Sequence, residues 1–298
     1  MTLFFKKLIC LSTLFAFTFS QTPAAYGQTD SIQNRKLNKV ILYSGVTYGA
    51  SILALSQIWY KDQGFTSFRF FNDNSEWNQV DKVGHFFSTY QFSRIADNVL
   101  QGAGLEEKKA AFWASVTGTG LLIPIELLDG FSPDFGFSYG DMIANAAGSA
   151  FFLGQDLLWN EQRIQPKFSF HRTSLAKVSP NLLGSNFQEE LIKDYNGQTY
   201  WLSFDIHAFA KQSNFPKWLN LAVGYGAQDM VRGRDFQNQA TGFDSYRQFY
   251  LGIDFDLSYI ETDKKWLKTA LFILDAFKLP APTLSFGRNN QQFHLFYF

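Results

Sequence analysis

The residues with the most chemical potential lie between Asp81 and Asn145, within a stretch that is otherwise rich in apolar side chains. Asp81 and His85 are four positions apart, as are Asp141 and Asn145, so each pair lies on one helix face about one turn apart. Glu126 ends an apolar run between them. An ionisable group on an apolar helix costs on the order of several kcal/mol unless it is paired, hydrated or used. We therefore expect these groups to converge between helices.

His85, Glu126 and Asp141 are the candidate catalytic residues. A histidine beside carboxylates can ligate a divalent ion or activate water, and the substrate would be a lipid or a lipid-linked head group. The sequence has no diagnostic metal-ligand spacing, no Gly-x-Ser-x-Gly motif and no phosphate-binding loop. The metal is therefore unknown, and we expect no cofactor apart from a divalent cation that this set could hold.

The same region also permits a structural interpretation, which we favour. In this view Lys82 pairs with Asp81 or Glu126, His85 donates to a carboxylate, and Asn145 bridges two helices. Buried polar groups that satisfy one another fix the register of helices without any ligand. The residues assigned to this polar network are Asp81, Lys82, Asp129 and Asn145. A third interpretation is an envelope scaffold whose loops, for example residues 229–245, bind protein partners.

Three motifs in this stretch are similar to those of known families. Asp-Lys-x-x-His-Phe from Asp81, a glutamate ending an apolar helix, and Asp-x-x-x-Asn-x-x-Gly from Asp141 together resemble the VanZ-like (teicoplanin-resistance) membrane family. The fuller pattern, with Asp-Gly-Phe-Ser from Asp129 and Gly-Asp-Met-x-Ala-Asn from Gly140, looks closer to the YfiM-like predicted periplasmic lipoproteins, a domain of unknown function. The resemblance covers residues 40–159 and implies a bundle of about four helices at a membrane. It implies no particular activity.

The N-terminus predicts a secretory signal peptide over residues 1–27. Lys6 and Lys7 precede an apolar run at residues 8–19, and the small residues near Gly27 suit a signal peptidase. An anchoring first helix is the less favoured alternative because the run is too short to span a bilayer. The single cysteine, Cys10, falls inside this signal. We therefore expect an exported mature chain with no disulfide and no lipid anchor.

Composition narrows the partners. Lys plus Arg number 26 and Asp plus Glu number 26, with no basic run, so nucleic acid is not expected as a partner. The chain contains 34 Phe, 13 Tyr and 7 Trp, which suits contact with a membrane interface. The uncharged segment Val40–Tyr60 is long enough to cross a bilayer, or to form a buried bundle helix. Membrane lipid and envelope proteins are therefore the predicted partners.

Residues 35–160 are predicted to form the helical module. Further helices are expected at residues 81–100, at residues 110–128, and from Gly140 onward. Small residues such as Ala114, Gly118 and Gly148 allow these helices to pack closely.

Residues 166–298 are predicted to form an antiparallel β region. Apolar Phe249, Leu251 and Ile253 alternate with Tyr250, Gly252 and Asp254, the period-two pattern of half-buried strands. Strands are expected near Gln198, Lys217, Arg247, Thr283 and Gln292, with a sixth at residues 167–172 and an amphipathic helix at 264–278. The last strand places Phe293, Leu295 and Tyr297 on its more apolar face.

These strands suit either a soluble sandwich or an outer-membrane barrel, and the strand ending at Phe298 favours the barrel. A single-chain barrel usually needs eight strands, so we expect a partial or composite barrel. The predicted fold is α+β and membrane-associated, with about four helices followed by antiparallel strands. The predicted protein is a structural, accessory or interaction protein of the cell envelope, in the outer membrane rather than the periplasm or inner membrane.

Overall fold

The computed structural model describes residues 37–39, 41–43, 45–50, 52–53, 64–210, 215–288 and 290–298. The predicted signal peptide lies outside the described residues, as does part of Val40–Tyr60. The described residues between 37 and 53 are helical, and among them Tyr48 and Ile52 pack against Ile125 and Leu128.

Three long helices form the first layer, at the predicted positions and slightly longer than predicted. Their close contact depends on glycine, because a Cβ added at Gly118 would lie 2.1 Å from Ser93 Oγ, and one at Gly148 would lie 2.1 Å from the Phe86 carbonyl oxygen. Within the described residues, one helix is apolar and long enough to cross a membrane, although 44% of its apolar window is buried. That helix is α2. The three helices are α1 (Val80–Gly102), α2 (Glu107–Gly130) and α3 (Tyr139–Trp159).

Two short strands, β1 (Phe70–Phe71) and β2 (Phe137–Ser138), pair in parallel beside these helices. The remaining strands form one six-stranded antiparallel sheet in sequence order, β3-β4-β5-β6-β7-β8. No pairing joins β3 to β8 in the described chain, so the sheet is open and does not close into a barrel. Its strands are β3 (Ile164–Phe170), β4 (Gln198–Phe204), β5 (Leu219–Gln228), β6 (Tyr246–Phe255), β7 (Ala281–Gly287) and β8 (Asn290–Tyr297).

Short helices occupy the connections between the strands. The helix predicted at 264–278 ends at Leu274. Phe168 of β3 donates to the Ala276 carbonyl and accepts from the Lys278 amide, which pairs Phe277 with β3 in a parallel bridge. The short helices are α4 (Pro180–Leu183), α5 (Phe187–Lys193), α6 (Ile206–Phe209), α7 (Asp235–Ala240) and α8 (Lys265–Leu274).

One side of the sheet is polar and buried. Lys167 is 1% exposed, and its Nζ lies 2.8 Å from Asp254 Oδ2 and 3.0 Å from Asp275 Oδ1. The sheet curls around this side, because the ring of Tyr297 in β8 contacts Trp201 in β4, four strands away. We call this buried surface, which also includes Asn220, Ser203, Thr283 and Ser285, the polar side.

Tyr297 is a correction to the sequence prediction. The register between β7 and β8 shifts between Ala281 and Thr283, so that Thr283 pairs with His294 and Ala281 pairs with Tyr297. This irregularity turns Tyr297 to the polar side, where its hydroxyl lies 2.7 Å from that of Tyr250. Phe293 and Leu295 stay on the opposite side.

The opposite side of the sheet is apolar and largely uncovered. Helix α1 packs over its first two strands, where the ring of Phe87 lies 5.8 Å from Phe168 and 5.6 Å from Tyr200. Across β5 to β8, in contrast, seven apolar side chains are between 38% and 64% exposed. We call this surface the apolar side; its most exposed members are Leu221, Val223, Phe249, Leu251, Leu284, Phe293 and Leu295.

Candidate functional site

The buried charged side chains of the helical layer meet at one end of the three helices. Consecutive helices run in opposite directions, so the start of α1, the end of α2 and the start of α3 are neighbours. Two more groups join from outside these helices, Asp73 from the preceding loop and Tyr195 from the loop before β4. We call the assembly the polar cluster: Asp73, Asp81, Lys82, His85, Glu126, Asp141, Asn145 and Tyr195.

Helix capping places Asp141 in the cluster. Ser138 is the N-cap of α3, and its Oγ accepts a hydrogen bond from the Asp141 amide at 3.1 Å while donating to Asp73 Oδ1 at 2.6 Å. Asp141 and Asp81 both lie in the first turn of their helices, where the helix dipole stabilises a carboxylate. Local sequence therefore directs two acidic groups into the same space.

Lys82 links three carboxylates. Its Nζ lies 2.6 Å from Asp141 Oδ1, 2.7 Å from Asp73 Oδ2 and 3.1 Å from Asp81 Oδ2. Although burial opposes the charged form, the adjacent Asp81 and Asp141 raise the pKa of Lys82 above its usual range. Lys82 is therefore a fixed positive charge that ties α1 to α3.

His85 stands at the centre of the cluster. Its Nδ1 lies 3.0 Å from Asn145 Oδ1 and 3.5 Å from Glu126 Oε1, and its Nε2 lies 3.7 Å from both Asp81 Oδ1 and Asp141 Oδ1. Both ring nitrogens therefore face oxygen atoms, on two different sides of the ring.

The cluster lies where the helices meet the sheet. Tyr195 donates a hydrogen bond to Asp81 Oδ1 at 2.7 Å. One residue before His85, Gly84 permits close approach to β4, because a Cβ there would lie 2.7 Å from the hydroxyl oxygen of Tyr200. Movement of the sheet relative to the helices would therefore disturb the cluster.

Burial and charge shift the proton affinities of these groups in opposite directions. Burial, with the charges of Asp141 and Asp129, raises the pKa of Glu126 to about 8 despite the nearby His85. Burial and the charge of Asp81 raise the pKa of Asp141 to about 7. Burial opposes protonation of His85, but Asp81, Asp141 and Glu126 raise its pKa overall. His85 and Lys82 lower the pKa of Asp81 against the effect of its burial.

The cluster can therefore act in two chemical ways. Carboxyl groups with pKa values near neutrality can donate or accept a proton at physiological pH. Asp81, His85 and Asp141 also offer three ligand atoms within 4.8 Å of one another, which is close enough to share a metal ion.

An aromatic pocket lies beside the cluster. It is lined by Phe70, Phe71, Asn72, Asn74, Tyr139 and Gly140, and the rings of Phe70 and Tyr139 stack with centroids 5.0 Å apart. Gly140 separates the pocket from the cluster, because a Cβ there would meet Asn74 Oδ1 at 2.0 Å and Lys82 Cε at 3.0 Å. A molecule in this pocket would lie one residue away from the charged groups.

The sequence-based candidates converge as expected, although their roles remain predictions. Asp129 lies one turn after Glu126, and its charge raises the pKa of that residue. Two members of the cluster were missed. Asp73 lies in an Asn-Asp-Asn turn that gives no chemical signal, and Tyr195 lies 110 residues after His85, in a region predicted only to carry strands.

Residues 69–154 match the model of a family described as predicted periplasmic lipoprotein (DUF2279). The matched range contains the three long helices except the end of α3, and all of the polar cluster except Tyr195. This match is consistent with the resemblance to YfiM-like proteins and supports a location in the cell envelope, whereas similarity to VanZ is not shown. Neither curated proteins nor solved structures gave a match to the chain.

Proposed function

We propose that this cell-envelope protein attaches to a lipid membrane through the apolar side of its sheet and has a structural or accessory role there. The observation that carries the proposal is the inverted pattern of the sheet. Its polar side, with Lys167 and Asp254, is buried, while its apolar side is exposed. Water-exposed sheets usually have the reverse arrangement, with polar side chains facing the solvent.

The apolar side is continuous across strands. Val223 pairs with Leu251, Leu251 with Leu284, and Leu284 with Phe293, so one apolar row crosses β5 to β8. Since contiguous exposed apolar patches are rare on soluble monomers and mark interaction surfaces, this row needs a covering layer.

Charged and aromatic residues border the apolar side at the two ends of its strands. Arg247 and Arg288 lie at one end, where the Arg288 guanidinium packs over the ring of Tyr246. At the other end, Trp218 stacks on Phe255 with ring centroids 6.0 Å apart. Aromatic and basic side chains at such borders suit the head-group region of a bilayer.

Lipid fits this surface better than a single protein partner. Exposed apolar side chains also occur on α2 and α3, where Phe112, Trp113, Val116, Ile143, Leu157 and Leu158 are between 43% and 74% exposed. A fluid apolar phase covers surfaces on several elements at once. We propose the outer membrane, because strands that are apolar outside and small or polar inside are typical of its proteins, and β5 and β6 have the ten residues of a spanning strand.

Flotation with lipid vesicles tests the attachment. Purified mature protein, freed of detergent, is mixed with phosphatidylethanolamine and phosphatidylglycerol vesicles and centrifuged in a density gradient. We expect the wild type to float with the vesicles. We expect the combined substitutions Val223→Glu, Leu251→Glu and Leu284→Glu to leave it at the bottom, because three charges would enter the apolar layer.

Val178→Glu is the matched control, because Val178 is 58% exposed but lies in the loop between β3 and β4. This variant should float like the wild type. If the wild type stays at the bottom and is found in a monodisperse complex with another protein, the partner of the apolar side is that protein and not lipid. If the protein were recovered only in the cell fractions that contain inner-membrane markers, the proposed location in the outer membrane would be wrong.

A second function, binding or hydrolysis of a lipid head group at His85, Glu126 and Asp141, is favoured by one observation. Glu126 is 1% exposed, and neither carboxyl oxygen has a hydrogen-bond partner within the described chain. A buried polar group without a partner costs about 1–3 kcal/mol, so the presence of Glu126 beside His85 favours a use for it. Head-group release from vesicles by the wild type, lost in His85→Ala with the fold intact, would support hydrolysis; equal release by both would contradict it.

A further inference from the structure

We propose that Asp81, His85 and Asp141 bind a divalent transition-metal cation, for which Zn²⁺ is the probe. This inference deepens the second of the proposed functions, since it names the group that the polar cluster would hold. Its test measures metal binding without lipid, so its failure is distinguishable from failure of head-group release, which is measured separately with vesicles.

The three donor atoms already have nearly the spacing of a coordination shell. His85 Nε2 lies 3.7 Å from Asp81 Oδ1 and 3.7 Å from Asp141 Oδ1, and all three atoms lie within 4.8 Å of one another. Ligands about 2.1 Å from a tetrahedral ion are separated by about 3.4 Å. Small side-chain rotations would therefore bring all three atoms into the shell of one ion, whose fourth position would be open to water or a substrate.

The remaining contacts of the ligands resemble the outer shell of a metal site. Metal-bound histidines usually donate their other ring nitrogen to a carboxylate or carbonyl oxygen. His85 Nδ1 faces Asn145 Oδ1 at 3.0 Å and Glu126 Oε1 at 3.5 Å, which leaves Nε2 free to bind the ion. Tyr195 likewise orients Asp81 by donating to Oδ1 at 2.7 Å.

Glu126 is an independent observation that points to a ligand. It is 99% buried, directed at His85, and makes no hydrogen bond through either carboxyl oxygen in the described part of the chain. A structural clasp would use those oxygens, because leaving a buried acceptor unpaired is costly. Bound metal would polarise the His85 ring and strengthen the interaction of its Nδ1 proton with Glu126 and Asn145.

Charge balance also favours a divalent ion. Three carboxylates, on Asp73, Asp81 and Asp141, surround Lys82, which leaves two negative charges uncompensated when all four are ionised. A divalent cation would bring this sum to zero when it takes the place of a proton on His85, which Asp81, Asp141 and Glu126 surround. Lys82 contacts Asp81 through Oδ2, so Asp81 Oδ1 remains directed at the histidine. At Asp141 the Lys82 ammonium lies 2.6 Å from Oδ1, so the ion would share this oxygen with Lys82 or bind Asp141 after a rotation of its carboxylate.

The site is reachable and selects the kind of ion. The side chains of Asp81 and His85 are 21% and 18% exposed, so an ion can enter without unfolding of the bundle. One imidazole with carboxylate oxygens suits Zn²⁺ and Mn²⁺, whereas Ca²⁺ and Mg²⁺ prefer oxygen ligands alone.

Calorimetric titration of chelator-treated protein with ZnCl₂ tests the site. The expected result is one ion per chain, with no comparable heat from MgCl₂ or CaCl₂. Binding should be lost in Asp141→Asn and His85→Ala, and weakened about 10–100-fold in Asn145→Ala. His207→Ala in α6 is the matched control and should bind like the wild type.

Nuclear magnetic resonance of wild-type protein with ¹⁵N-labelled histidine keeps the proposal testable if a variant fails to fold. Of the four histidines, only His85 should shift its Nε2 resonance at one equivalent of Zn²⁺. No shift at His85, a shift confined to another histidine, or unchanged affinity in folded Asp141→Asn would overturn the proposal.

Discussion

Lys167→Met tests whether the polar side of the sheet is the packed interior. Lys167 is 1% exposed, forms ion pairs with Asp254 at 2.8 Å and Asp275 at 3.0 Å, and donates to the Phe255 carbonyl oxygen at 3.0 Å. Methionine has a similar length but no charge and no donor. The substitution therefore leaves two buried carboxylates without their shared cation.

The expected loss of stability follows from these contacts. Removing one partner from a buried ion pair costs about 3–5 kcal/mol, because the other charge stays buried. Asp275 keeps Arg94 at 3.1 Å, which places the loss near about 3 kcal/mol. For a domain of about 150–250 residues this corresponds to a fall in Tm of roughly 6–12 °C.

Thermal unfolding followed by circular dichroism measures this fall under one set of solution conditions. Lys217→Met is the control, because Lys217 is exposed, and its Tm should change by less than about 1 °C. Lys167→Met combined with Asp254→Asn should recover part of the loss, since the unpaired carboxylate is removed. A fall in Lys167→Met no larger than that of the control would refute a packed polar interior.

Three further predictions concern other parts of the fold. Gly118→Ala should reduce the free energy of unfolding by about 1–3 kcal/mol in chemical denaturation, because its Cβ would lie 2.1 Å from the side chain of Ser93. Gly154→Ala should increase the free energy of unfolding by about 0.5–1 kcal/mol, because no atom lies within 4 Å of the added Cβ. Burial lowers the pKa of Lys278 from 10.5 to about 8, so its contribution to stability is present above pH 10.5 and is lost as the pH falls towards 8. Lys278→Met should therefore gain stability relative to the wild type, by about 1–3 kcal/mol, between pH 10 and pH 8. Tyr195→Phe should cost about 1.5–3 kcal/mol in urea unfolding, because it removes a donor to the charged Asp81.

Each of these has a clear contrary result. Equal effects of alanine at Gly118 and Gly154 would show that the helices do not approach as closely as the structure indicates. A difference between Lys278→Met and wild type that is constant with pH would show that this lysine has its ordinary proton affinity. An unchanged free energy of unfolding in Tyr195→Phe would show that the loop before β4 does not contribute to the polar cluster.

The helices and most strands were predictable because their signals are local. Helices α1 to α3 follow long apolar segments interrupted by turn residues, and β5 and β6 follow strict alternation. The convergence of His85, Glu126 and Asp141 was predictable for a different reason. Ionisable side chains on apolar helices are disfavoured in an apolar environment, so they are expected to pack against one another.

The curl of the sheet was not predictable, because it depends on register and not on composition. Tyr297 shares its parity with Phe293 and Leu295, and only the irregularity opposite Ala281 turns it to the polar side. The helix predicted to continue to Lys278 ends at Leu274 because β3 offers an unpaired edge to residues 276–278. Neither event leaves a trace in the local pattern.

The partners of the buried charges were also hidden from the sequence. Lys167, Asp254 and Asp275 are separated by 87 and 21 positions, and each alternates normally with its apolar neighbours or ends a helix. Asp73 and Tyr195 join the polar cluster from loops. Such groups are brought together by the tertiary fold alone. The ionisable residues of the helices could therefore be identified from the sequence, whereas those that complete their environment could not.

The most direct test of membrane attachment is the depth of single sites on the apolar side. We expect the mature chain to lack cysteine, so a single cysteine can be introduced and labelled with an environment-sensitive fluorophore. One variant is Leu251→Cys, at a position 38% exposed on the apolar side, and the other is Val178→Cys, in the loop before β4. On addition of vesicles, the probe at position 251 should shift to shorter wavelength and be quenched by lipids brominated in the acyl chain, while the probe at 178 should not change. Equal responses at the two positions, or none at 251, would contradict attachment through this face.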